Sequence, residues 1–348
     1  MKPKTQNKLI SVVQSPQWIW LRRNLFNNWF NSILTFVCIF VIYRVANIFG
    51  YWAVFLADWQ VVLVNWRLFL VGRYPIELHW RLGIAVGLIS CITFLSIWTI
   101  YVRSRYTKLV IPTWIITLLL ICWLVTGGFW LRQIPTQLWN GLLLTLVTST
   151  ISIILCFPAG VLLALGRQSS LPILRWICIF YIEIVRGFPL IGILFMAQVM
   201  LPLFLPIGVR PDRVVRAIVG LSLFSAAYMA ENVRGGLQSV PRGQIEAAKA
   251  LGLSTPWVVL LIVLPQALRA VIPAIVGQFI GLLKDTSLLA LVGLVELTGI
   301  ARSILAQPEF IGDYAEVYIF IGIIYWILCY GMSWASRKLE QKLAVGKL

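Results

Sequence analysis

Charge is scarce in this chain. Of its 348 residues only 12% are Asp, Glu, Lys or Arg, about half the share usual in soluble domains. Acidic residues number 12, and histidine occurs once, as His79 beside Trp80. No G-x-x-x-x-G-K-[ST] loop is present to cradle nucleotide phosphates, and neither H-E-x-x-H nor G-x-S-x-G occurs. Metal-ligand clusters and general acid–base pairs are therefore excluded, and the chain is not expected to be an enzyme, to bind a cofactor or to hold a metal. The 6 cysteines are scattered through apolar segments without a C-x-x-C pair, which excludes a zinc site and a disulfide framework and leaves them as small hydrophobes. Low-complexity linkers and internal repeats are also lacking.

What the chain has in excess is hydrocarbon: 60% of its residues are apolar. Several runs approach the roughly 20 residues needed to cross a bilayer. Backbone groups in lipid must be satisfied internally, so the expected fold is all-α and polytopic. The runs predict about eight spans, near residues 29–48, 82–102, 109–129, 138–165, 177–203, 217–228, 258–283 and 318–335. Arg44 falls in the far half of the first, within snorkelling reach of the outer interface. Residues 51–80, rich in Trp and Arg, have room for an interfacial helix. The basic stretch before Trp29 is too long, and lacks a small-residue cleavage site, for a cleaved signal peptide. The net charge of +17 fits loops facing anionic headgroups; no Lys/Arg run exceeds two residues, which argues against nucleic acid. With the N-terminus inside, most of the 29 lysines and arginines fall on the cytoplasmic side, and both termini are expected there. A shift from Trp-rich to Gly- and Pro-rich sequence suggests an N-terminal extension over 1–133, with about three spans, and a core over 134–348.

The stretch from Ser239 to Pro265 begins polar and ends apolar. Ser239 is expected to cap a helix and Pro241 to occupy its first turn. Ile245, Ala248 and Leu251 line one narrow face, Gly252 supplies a left-handed stop, and Thr255-Pro256 starts the next helix. The predicted unit is a short amphipathic helix, a break, and a helix entering the bilayer. An ordinary interfacial helix would read the same way by composition.

Its spacing says more. Glu246-Ala247-Ala248, Gly252 and Ile262-Val263-Leu264-Pro265 resemble, at every interval, the E-A-A, three residues, G, nine residues, I-x-L-P coupling motif of permease subunits of ATP-binding-cassette importers. Tyr181 to Leu190, Tyr228 to Gly236 and Lys284 to Leu288 are similar to the polar and general L-amino-acid branch of these permeases, although Phe188 stands where that branch commonly has Thr. The stretch before them is similar, more loosely, to the longer subunit of general L-amino-acid systems. The resemblance covers about residues 138–342. It implies a five-helix type I importer core with a cytoplasmic coupling loop over about 239–257. It also implies a dimer of ATPase subunits carrying ATP and Mg, a second homologous permease forming a heterodimer, and an extracytoplasmic amino-acid-binding protein. The setting is a bacterial inner membrane. Glu246, Ala247, Ala248, Gly252, Ile262, Leu264 and Pro265 would meet or orient the ATPase.

Ionised groups within apolar runs are costly and are usually paired or turned toward water. Glu183 and Arg186, three apart on one helix face, read either as a structural pair or as part of a substrate path. Glu231 sits close to the coupling stretch and is expected to shape it, with the substrate path as its other candidate role. Asp285, Thr286 and Ser287 follow a helix broken by Pro and Gly and could meet the charges of a zwitterion. The glycine pairs Gly83/Gly87 and Gly277/Gly281 are too weak a signal to assign a dimer contact. A secondary transporter driven by an ion gradient is the alternative, and a passive membrane scaffold is a third; dependence of uptake on ATP separates them.

Overall fold

A computed structural model describes residues 16–101, 109–206 and 208–343. Helix dominates, and the described residues contain no strand, only two isolated bridges. The chain divides into two units after Trp59.

The first unit holds α1 (Pro16–Asn24) and α2 (Trp29–Tyr51), the latter continued by a π-helical turn over Trp52–Leu56. The corner between them is fixed by Thr35, whose hydroxyl donates to the Asn31 and Leu25 carbonyls at 2.7 and 3.0 Å, and by an edge contact of the Phe26 and Phe36 rings at 5.7 Å. At the far end Trp59 Nε1 donates to the Ala53 carbonyl. No residue of α2 is buried. The uninterrupted apolar helix runs from Trp29 to Leu56, longer than the span expected from the sequence.

The second unit contains α3 (Gln60–Val71), α4 (His79–Tyr101), α5 (Val110–Thr126), α6 (Gly141–Arg167), α7 (Pro172–Gly187), α8 (Leu190–Val199) and α9 (Arg213–Ser239). After these come α10 (Arg242–Ala250), α11 (Leu264–Ala270), α12 (Ile272–Asp285), α13 (Leu297–Leu305) and α14 (Tyr314–Leu343). A helix, α3, does form within residues 51–80, and its Val61 and Phe69 are buried in a core shared with Leu297 and Ile304. Helix α9 is the inner one: 61% of its apolar window is buried, against 28% for α6. Its N-terminus is capped by Asp212, which accepts from the Val214 N–H at 2.8 Å. The α6–α9 seam is built of small residues. A Cβ on Gly160 would stand 2.5 Å from the Met229 side chain, so only glycine permits this approach. The hydroxyls of Thr148 and Ser149 turn back onto carbonyls of their own helix, while Ser152 reaches across to the Ile218 carbonyl at 3.4 Å. Tyr74, Leu82 and Val125 share one core with Leu144, Leu221 and Leu289, so helices before residue 134 pack against those after it.

The span count is corrected in three places. Six helices among the described residues are long and apolar enough to cross a membrane, or seven if one bent pair counts as a span, rather than eight. That pair is α7 and α8, bent by 108° where a continuous span was expected. The cause is local. Pro189 drives Phe188 into extended geometry (φ −93°, ψ 144°), and the helix cannot pass. Helix α5 has 17 residues and stops at Gly127, whose φ is +78°. The expected 258–283 span is interrupted at Val271 (φ −110°), just before Pro273 in the first turn of α12, and the membrane-length segment is instead Ile272–Val292.

Candidate functional site

The coupling stretch folds as a nine-residue helix, α10, closed by a Schellman motif. The Leu253 N–H donates to the Ala248 carbonyl at 3.2 Å and the Gly252 N–H to the Lys249 carbonyl at 2.9 Å. Gly252 adopts φ +82°, and a Cβ there would meet nothing within 4 Å, so its requirement is conformational, not steric. Ala248 is buried and Ile245 partly so, both against a cluster containing Val240, Val258, Val263 and Ala267. Glu246, Ala247 and Lys249 face outward. Leu251 does not join the inner face as expected. It follows the last helical turn, where the chain reverses, and is 83% exposed at the tip. Ser239 likewise does not cap α10: it is the last residue of α9 and its hydroxyl donates to the Gly236 carbonyl, while Pro241 takes the capping position.

Beyond Gly252, Thr255–Trp257 opens a new helix that widens into a π-helix over Val258–Val263 before α11. The Leu264 N–H pairs five residues back, with the Val259 carbonyl. This shift accommodates Pro265, which has no N–H to offer and whose ring would strike the carbonyl four residues earlier. Ile262 and Leu264 are partly buried in the same cluster as Ala248. The whole motif is thus one hydrophobic anchor carrying an exposed helix.

A charge cluster ties the ends of α6, α7 and α9. Glu231 on α9 is its centre. It bonds Arg234, one turn on, through both Nε at 2.8 Å and Nη2, Arg167 at the end of α6 at 3.3 Å, and Arg186 at the end of α7 at 3.6 Å. Arg167 also meets Glu183 at 3.0 Å. The Arg186 guanidinium lies over the Tyr228 ring, 5.7 Å from its centroid. Arginine at helix C-termini also complements the helix dipole. Three residues singled out in the sequence, Glu183, Arg186 and Glu231, are therefore brought together as an ion network. Arg234 lies eight residues before α10 begins.

Asp285, Thr286 and Ser287 are not part of this network. They mark the junction of α12 with a 3-10 segment, Thr286–Val292. Asp285 is half-buried, and the buried Thr286 hydroxyl donates to the Leu283 carbonyl at 2.6 Å. Thr286 neighbours a residue the sequence analysis passed over, Glu296, through the hydroxyl of Tyr325. Glu296 is fully buried and caps α13, accepting from the N–H groups of Thr298 and Gly299 at 2.8 and 3.0 Å and from the Tyr325 hydroxyl at 3.2 Å. Thr145 on α6 donates to it at 3.5 Å and accepts from the Leu297 N–H. One carboxylate thus fastens α6, α13 and α14. A lone acidic residue in the apolar run Leu288–Leu297 was the available signal.

Burial pushes the Glu296 carboxyl up to about 7, its hydrogen bonds opposing this only in part. The folded protein therefore holds a proton there that the unfolded chain, titrating near the usual carboxylate value, has already lost. The stabilisation is complete below about pH 4.5 and is lost as pH rises to about 7, a change of about 3 kcal/mol. Thermal unfolding in detergent should show the melting temperature falling between pH 5 and 7.5. In Glu296→Gln that slope should vanish; a slope unchanged by the substitution would assign it elsewhere.

Comparison with known proteins then decides the family. The model of the family described as binding-protein-dependent transport system inner membrane component matches residues 156–345, more than half of the chain. The chain belongs to this family. It is therefore a multi-pass transport permease, and the matched segment contains α10 and all five residues of the ion network. An Escherichia coli protein named inner membrane amino-acid ABC transporter permease protein YhdY is 40% identical, over 94% of both chains. The BztC permease protein of a glutamate/glutamine/aspartate/asparagine transport system in Rhodobacter capsulatus is 35% identical, over 82% of this chain and 79% of its own. A crystal structure of an amino acid ABC transporter with histidines superposes with a TM-score of 0.52 and 30% identity, covering 58% of this chain and 92% of that one. The type I importer core expected from the sequence is thus the fold of this permease.

Proposed function

We propose that this permease forms the membrane pathway of an ATP-binding-cassette importer of polar or diverse amino acids, driven by a separate ATPase that engages α10. The observation that carries the coupling role is the complete motif folded as an exposed helix on a buried hydrophobic anchor. The substrate class rests on the relatives whose names specify amino acids, at 40% and 35% identity. ATP and Mg are assigned to the paired ATPase subunits, since the chain has no phosphate loop of its own. Residues 134–348 form the core in this reading, with 1–133 as an extension. Asp285 to Ser287 lie along the substrate path, both termini and α10 face the cytoplasm, a second permease completes the pore, and an extracytoplasmic binding protein delivers the amino acid.

The experiment is reconstitution with the ATPase, the companion permease and the binding protein, scoring uptake of a panel of amino acids. Uptake should require ATP; uptake that survives ATP removal and collapses with an ion gradient would overturn the reading. In the same vesicles Gly252→Pro or Glu246→Lys should leave insertion intact and lower uptake per ATP hydrolysed by tenfold or more. Gly252 sets the reversal that aims the helix, and Glu246 is the outward negative charge it presents. Normal coupling in both variants would remove α10 from the ATPase contact.

A further inference from the structure

Arg44 lies deep in the apolar helix of the first unit. The aromatic residues Trp29 and Trp52 bracket that helix, about 35 Å apart along its axis, close to the ~30 Å hydrocarbon thickness plus its interfaces. Arg44 stands eight residues before Trp52, or about 12 Å along the axis. Helix side chains lean toward the helix N-terminus, so the guanidinium is directed toward the bilayer centre and away from the nearer interface. Snorkelling, the expectation for a shorter span, is therefore disfavoured here. Asn47, three residues on, shares the face, and both side chains are exposed. No ion pair is formed by Arg44 among the described residues of its unit, whose sole acidic residue is Asp58, beyond the end of the helix.

We propose that the Arg44–Asn47 face of α2 docks a transmembrane helix of a different polypeptide, one that carries an Asp or Glu at matching depth. Charge selects this occupant. A two-fold contact with a second copy would set Arg44 against Arg44. The chain's own carboxylates within membrane-length helices are otherwise engaged or placed. Glu231 is bound by arginines, Glu316 is buried, Asp285 is half-buried beside Lys284, Glu77 stands in the first turn of its segment, at the end rather than at depth, and Glu340 accepts from Ser336 near a helix end. A lipid face satisfies the apolar residues of α2 but not this cation or the neighbouring Asn47 amide.

The full-length chain, expressed with its own chromosomal partners and solubilised in a mild detergent, provides the test. Arg44→Leu makes α2 more apolar, so the variant inserts at least as well as the parent. The proposal expects it to lose the larger complex on native electrophoresis by fivefold or more, with Arg44→Lys retaining most of it. Arg44→Asp should lose the complex too and regain it through an Asp/Glu→Lys/Arg change in an apolar segment of another subunit. Wild-type assembly by Arg44→Leu, or rescue only by a change within this chain, would overturn the proposal. The readout is assembly, so its failure leaves the transport function standing.

Discussion

Replacing Glu231 by alanine is expected to cause the largest loss of any single charge change in this protein. Three arginines, Arg167, Arg186 and Arg234, converge on that one carboxylate from three helices. Without it they repel one another, and only Arg167 keeps a carboxylate partner, Glu183. Removing one member of a buried ion pair costs about 3–5 kcal/mol, and the partial exposure of this cluster brings the figure to about 2–4 kcal/mol. Glu183→Ala is the matched control. Its side chain is 54% exposed, so the loss should stay below about 1 kcal/mol. The two variants, unfolded thermally in detergent, should differ clearly in melting temperature, and Glu231→Ala should also lose uptake because α9 runs directly into the coupling segment. Equal, mild effects would mean that the network contributes no more than ordinary surface pairs.

The adjacent glycines Gly235 and Gly236 are expected to respond to substitution in opposite directions. A Cβ on Gly236 would lie 2.5 Å from the Ala267 carbonyl oxygen and 3.0 Å from Val271 Cγ1, and the carbonyl belongs to a backbone that cannot swing aside. Gly236→Val must push α11 away from α9, and since overpacking costs about 1–3 kcal/mol even where side chains give way, the loss here should reach or exceed the upper figure. At Gly235 an added Cβ meets nothing within 4 Å. Gly235→Ala should leave the fold intact and gain up to about 1 kcal/mol of helix propensity. Melting temperatures of the pair provide the check, with uptake as a second readout. Because α11 carries the end of the coupling motif, Gly236→Val should impair transport even at temperatures where the protein stays folded. Parallel behaviour of the two variants would contradict the close α9–α11 approach.

Much of the coupling segment was legible because its determinants are local. Gly252 stops α10 through backbone geometry alone, and Thr255-Pro256 starts the next helix for the same kind of reason. Errors arose where local grammar meets packing. Leu251 fits the apolar stripe by spacing, yet the reversal at Gly252 turns it outward. Ser239 is a good cap by type, but it ends α9 and its hydroxyl is taken by the Gly236 carbonyl of that helix. Pro189, Pro265 and Pro273 look alike in sequence and have three outcomes: a sharp bend, a π-helical widening and a clean break. Which one occurs depends on whether neighbouring helices can satisfy the freed backbone groups, and that is not written locally. Glu183, Arg186 and Glu231 could be suspected individually as costly charges, but their convergence required the ends of α6, α7 and α9 to meet. Glu296 was missed because a single carboxylate in an apolar run gives no hint of the four donors that surround it.

The bare surface of α2 has a consequence for how this chain drifts between species. On the buried face of α9, which holds about half of its residues, a change alters a fitted contact, so residue identity there is expected to be held. In α2 no side chain is buried. Apart from Phe36 at the α1 corner, exchanges among Leu, Ile, Val and Phe there should be close to neutral, with length and oiliness the main requirements. Related chains should keep the buried face of α9 while α2 blurs into an interchangeable hydrocarbon rod. Against that background an arginine that stays at position 44 would stand out as the one letter selection still reads.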